Sequence, residues 1–103
     1  MSEQNHAKTV KITALYTQTA RQVSFEAALS QTLAQVIEEA YDKLKESRRP
    51  GDQYFCHQDP RVDLTPFLQK TLAVLETEGV CFQPVHGERT FAFDIEAETG
   101  GAA

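Results

Sequence analysis

An α+β domain, with one long helix packed across a mixed sheet and a second, shorter helix beside it, is the fold class that this chain predicts. Three observations carry the prediction. Segments near both ends alternate apolar and polar residues as half-buried strands do. A segment between them repeats its apolar residues at helical spacing. Short, turn-rich stretches join the pieces.

The first strand spans about residues 8–16, where Val10, Ile12, Ala14 and Tyr16 alternate with Lys11, Thr13 and Leu15. A short polar link, Thr17-Gln18-Thr19-Ala20, leads to Val23 and Phe25, which alternate with Gln22, Ser24 and Glu26. Strands so closely joined make an antiparallel hairpin. Leu33, Val36, Ile37, Ala40, Tyr41 and Leu44 then form one face of an amphipathic helix. Thr32 followed by Gln35 fits a capping box, which starts the helix at about Leu33. Glu38 and Glu39, and then Lys43, Lys45, Arg48 and Arg49, suit its dipole, and Pro50-Gly51 is its predicted end.

Gln53 to Gln58 reads as a short third strand, closed by Asp59-Pro60. Thr65-Pro66 offers an N-cap and a proline at the first helical position. A second helix is therefore predicted through Phe67, Leu68, Thr71, Leu72 and Leu75 up to Gly79. Val80, Cys81, Phe82 and Val85 give a further short strand, turned by His86-Gly87. In the last strand, about Arg89 to Ala97, Phe91, Phe93, Ile95 and Ala97 take one face, and Ala92, Asp94, Glu96 and Glu98 the other. The first and last strands are the most strongly patterned, so they are expected to pair at the centre of the sheet.

Composition narrows the function classes. The chain has 103 residues, a net charge of −5 and no basic run longer than Arg48-Arg49, so nucleic acid is not an expected partner. No apolar run approaches the ~18 residues of a membrane span. The polar opening lacks the apolar core of a secretory signal, which makes the cytoplasm the expected compartment. There, Cys56 and Cys81 are expected to stay reduced, as small buried apolar residues. Cys56-His57 with Cys81 and His86 could suggest a metal site or a thiol–imidazole dyad, but strand neighbours point to opposite faces and the paired spacings of zinc sites are missing. No phosphate loop, Ser-His-Asp set or paired-carboxylate site stands out, so neither an enzyme, a catalytic residue, a bound metal nor a cofactor is expected.

The opening hairpin, Thr32-Leu33-Ala34-Gln35-Val36 at the start of the long helix, the Asp63-Leu64-Thr65 turn, the last strand Thr90-Phe91-Ala92-Phe93-Asp94-Ile95 and the following Gly100-Gly101 together resemble ubiquitin and the β-grasp ubiquitin-like proteins. The likeness covers about residues 8–101 and is closest in kind to divergent bacterial ubiquitin-like modifiers. It implies a disordered leader at 1–7, a ubiquitin-like domain at 8–97 and a flexible tail at 98–103. It also implies that the Gly101 carboxylate is the reactive group, exposed by a deubiquitinase-like peptidase that removes Ala102-Ala103. An ATP-dependent activating enzyme would adenylate it, and a conjugating enzyme would pass it to target amines. Glycines suit the role, because backbone without Cβ atoms can enter a narrow slot. From Ala97 to Gly101 an extended chain reaches at most ~17 Å.

The family's partner surface is an apolar patch on the sheet, and here Leu15 and Val62 are the candidates. Glu96 and Glu98 make the tail acidic where ubiquitin's is basic, so a dedicated partner with a basic groove is expected. The segment from Pro66 to Val85 is also longer than ubiquitin's. Two further functions fit the resemblance: a sulfur carrier using a Gly101 thiocarboxylate, and a β-grasp adaptor whose tail is inert.

Overall fold

The structure is a computed structural model that describes residues 9–85 and 88–97. The elements are β1 (Thr9–Tyr16), β2 (Arg21–Ala28), α1 (Leu33–Leu44), β3 (Gln53–Cys56), α2 (Leu72–Glu78), β4 (Phe82–Val85) and β5 (Glu88–Glu96). They form an α+β domain with a mixed five-stranded sheet and two helices. The expected leader, the His86-Gly87 turn and the tail from Glu98 onward lie outside the described residues.

β1 and β2 form the antiparallel hairpin, from Thr9 opposite Ala28 to Tyr16 opposite Arg21. β5 lies parallel to β1 on its other side, from Lys11 beside Thr90 to Tyr16 beside Ile95, so the two most strongly alternating strands are indeed central partners. The far edge of β5 is shared by two short antiparallel strands. β4 takes its first half and β3 its second, giving the order β2-β1-β5-β3 with β4 alongside β5. Ile12, Phe91, Phe93 and Ile95 on one sheet face are completely buried, as are Leu33, Val36 and Leu44 of α1 and Leu72 and Leu75 of α2. Each such large side chain contributes roughly 1.5–3 kcal/mol on burial.

α1 begins where expected. Thr32 Oγ1 accepts from the Gln35 amide at 3.2 Å and Gln35 Oε1 accepts from the Thr32 amide at 3.0 Å, a complete capping box. It ends at Leu44, six residues before Pro50, which corrects the predicted end. Lys45 takes a left-handed backbone with φ 62°, and the Lys45 and Glu46 amides close back onto Asp42 and Tyr41. The apolar stripe stops at Leu44; beyond it Glu46-Ser47-Arg48-Arg49 has nothing to bury, so continuing the helix would gain no packing.

The second helix also differs. Thr65–Phe67 is a short 3-10 turn, and α2 starts only at Leu72, capped by Thr71, whose side chain accepts from the Val74 amide. The cause is reciprocal capping of the two helix starts. The Leu33 and Ala34 amides donate to the Lys70 and Leu68 carbonyls, while the Leu72 and Ala73 amides donate to Gln31 and Leu29. The segment before each helix thus supplies the other helix with carbonyls for the N–H groups that its first turn leaves unpaired. Had helix run on from Pro66, those carbonyls would be used internally. α2 closes on Gly79, whose φ of 73° suits glycine.

Candidate functional site

Sequence reasoning singles out the end of β5 and the open face of the sheet. β5 is held firmly to its end. The Ile95 carbonyl accepts from the Thr17 amide at 3.0 Å and from the Thr17 hydroxyl at 3.2 Å, and Glu96 pairs with Gln53. Ala97, the last described residue, packs half-buried against the core. Gly100, Gly101, Ala102 and Glu98 lie outside the described residues, so the anchoring strand is described and the tail is not.

On the open face, one row runs across the sheet through Gln22, Leu15, Asp94 and Phe55. Leu15 is half-buried, and its neighbour on the central strand is a carboxylate. Val62 is not part of this row. It follows Arg61 beyond edge strand β3, where its carbonyl accepts from the Cys56 amide at 3.1 Å and its side chain packs against the core. The structure therefore does not bring Leu15 and Val62 together.

What gathers there instead is a charged cluster around Asp94. Only 6% of this residue is exposed. A carboxylate so deep in a sheet needs its oxygens satisfied, because leaving a charge buried and unpaired costs several kcal/mol. Asp94 Oδ1 lies 2.7 Å from His57 Nδ1, and Asp94 Oδ2 accepts from Arg61 Nη2 at 3.0 Å. The same Arg61 nitrogen donates to Glu96 Oε2 at 3.0 Å. The guanidinium also sits 4.9 Å over the Phe55 ring, a cation–π contact that fixes its plane. Since an ionised carboxylate only accepts, His57 Nδ1 is the donor of this pair, and the ring that carries it is 44% exposed.

Asp94, His57, Arg61 and Phe55 were missed as site residues by sequence reasoning. Alternation placed Asp94 on the outward face correctly, but an outward Asp normally reads as solvated. The signal that could have found it was its place in the most apolar strand, which must be central and flanked on both sides. His57 and Arg61 come from the two sides of Asp59-Pro60, whose peptide bond is cis.

The cysteines require a correction. Cys56 and Cys81 are joined in a disulfide, with 5.0 Å between their Cα atoms, where reduced thiols were expected. β3 and β4 pair with the same edge of β5, and that sharing brings the end of one to the start of the other. Cys56 and His57 do point to opposite faces: Cys56 joins the core and His57 meets Asp94. Among the described residues no three His, Cys, Asp or Glu side chains gather as a metal site, and no helix is long and apolar enough to cross a membrane.

A third cluster lies inside the fold. The Tyr41 hydroxyl donates to the Asp52 carboxylate and lies 3.0 Å from the Tyr54 hydroxyl, with the two rings edge to face at 6.4 Å. Burial first, and then these hydrogen bonds, hold the Tyr41 hydroxyl far above the usual phenol range. Asp63 is lowered instead, by the Thr65 amide that donates to its Oδ1 at 2.9 Å.

Comparison with protein-family models and with curated proteins found no match to this chain.

Proposed function

We propose that this chain is a β-grasp ubiquitin-like protein modifier, activated at the Gly101 carboxylate once Ala102-Ala103 has been removed, and conjugated to amines of target proteins. The observation that carries the reading is the anchoring of β5. It is the central strand, paired parallel to β1 and bonded through Ile95, and only four residues separate Glu96 from Gly101. An opening hairpin, a helix across one face and a last strand returning parallel beside the first are also what a β-grasp chain requires. A slim Gly-Gly segment fastened so close to the middle of a rigid sheet can enter a partner's active site while the folded body stays outside.

The partners are an activating enzyme, a conjugating enzyme and a deubiquitinase-like peptidase. The Asp94 cluster sharpens what they would have to recognise. The Glu96 carboxylate is already engaged by Arg61, so a basic groove would compete with Arg61 for it. Leu15 and Phe55, flanking Asp94, supply the apolar part of a contact surface.

Intact-mass analysis after incubation with ATP and the partner enzymes tests the reading. Loss of Ala102-Ala103 followed by an adduct between Gly101 and a target lysine is the expected outcome. A mass gain of about 16 Da at a Gly101 terminus, oxygen replaced by sulfur, would assign a sulfur carrier. Persistent Ala102-Ala103 with no adduct would leave an adaptor domain and refute the modifier.

A further inference from the structure

We propose that the Cys56–Cys81 bond is a thiol–disulfide exchange site for a dithiol reductant, and that its opening releases the β4 edge while the rest of the sheet holds. The inference is independent of the tail chemistry.

The two sulfurs sit at the seam where β5 changes partner. Cys56 ends β3 opposite Phe93, and Phe82 begins β4 opposite Phe91, so Ala92 lies between the two ladders. Ala92 holds both sides. Its carbonyl accepts from the His57 amide at 3.1 Å, and its amide donates to the Cys81 carbonyl at 3.4 Å. The second of these bonds is long, so the covalent link is the stronger tie between Cys81 and the sheet. Cys81 is moreover held at φ 63°, a left-handed backbone that a residue with a Cβ adopts only at a cost. β4 beyond it is four residues long, pairs only with β5 among the described residues, and contains Pro84, which has no N–H to donate. Once the link opens, little holds Cys81 in its strained conformation.

The bond can also be reached. A small cleft of about 60 Å³, lined by Gln58, Pro60, Gly79 and Gln83 among others, opens beside both cysteines. Cys81 is the more exposed of the two residues, 8% against 2% for Cys56, and we take its Sγ as the sulfur attacked. The reductant's first thiolate bonds to Cys81 Sγ, the Cys56–Cys81 bond breaks, and its electron pair leaves on Cys56 Sγ, which takes up a proton. The reductant's second thiolate then attacks its own sulfur in the mixed disulfide. Cys81 departs as a thiolate and is protonated, and the reductant, having given two electrons, becomes a disulfide.

The probe is dithiothreitol, added to the oxidised protein without denaturant. Reduction, followed by alkylation and intact mass, should proceed in proportion to dithiothreitol concentration and about tenfold or more faster than global unfolding. In the reduced protein, amide hydrogen exchange should quicken about tenfold at Ala92, whose amide bonds to Cys81, and stay unchanged at His57 on the β3 side and at Val36 and Leu33 of α1. The double variant Cys56→Ala with Cys81→Ala should show the same exchange pattern. A reduction rate capped at the global unfolding rate would overturn the proposal, making the bond a buried staple. So would unaltered exchange at Ala92, or loss of the whole fold, in the reduced protein.

Discussion

Tyr41→Phe should both destabilise the protein at neutral pH and protect it at alkaline pH. The substitution removes only the hydroxyl and keeps the ring, which is 5% exposed and packed edge to face on Tyr54. What is lost is the bond donated to the Asp52 carboxylate and the contact with the Tyr54 hydroxyl. Asp52 keeps the Arg49 amide at 3.1 Å, so the expected cost near neutrality is about 1–2 kcal/mol. The alkaline limb has the opposite sign. In the unfolded chain Tyr41 loses its proton near its ordinary value of 10.0; in the folded chain the pKa is raised, so the proton stays on. The stabilising effect is complete below 10.0, and above it unfolding becomes easier by about 1.4 kcal/mol per pH unit. The variant lacks this slope, so the wild-type advantage should vanish about one unit above that value and then reverse. Tyr16, also raised by burial, is present in both proteins and cancels. Urea unfolding followed by circular dichroism from about pH 7 to about pH 11.5 measures the gap. A gap that stays constant across that range would refute the reasoning.

Removing the disulfide with Cys56→Ala and Cys81→Ala should lower global stability by about 3.5 kcal/mol, the chain-entropy value for a link across 25 residues, while leaving the far-UV spectrum α+β. Calorimetry would check it, and an unchanged transition would show that the bond constrains nothing. At Leu15 the choice of replacement matters. Leu15→Asp sets a second carboxylate beside Asp94 and should cost up to about 1 kcal/mol more than Leu15→Thr, which places an uncharged, β-branched residue on the open face. Denaturant unfolding of the two variants distinguishes that repulsion from simple loss of burial, and equal stabilities would remove it.

Much of the fold was legible along the chain because its signals are local. The alternation of Val10, Ile12, Ala14 and Tyr16, and of Phe91, Phe93 and Ile95, reports which face of a strand meets the core. The α1 stripe and the Thr32–Gln35 box report one helix face and its start in the same way. The two misplaced helix boundaries were set by distant contacts. α2 begins at Leu72 because the loop before α1 accepts its first amides, and no propensity near Pro66 contains that information. α1 ends at Leu44 because burial stops there, although residues up to Pro50 would tolerate a helix.

By itself, then, the sequence determined the alternating central strands, the amphipathic helix with its cap, and the Gly-Gly segment four residues past β5. Each depends on periodicity or on neighbours a few positions away. Only the tertiary structure decided that two short strands share one edge of β5. That sharing joins Cys56 to Cys81, and it carries His57 and Arg61 to Asp94 across 37 and 33 positions of chain. Such partners are chosen by where backbone hydrogen bonding and burial bring separate segments, and a carboxylate's surroundings cannot be read from its own strand.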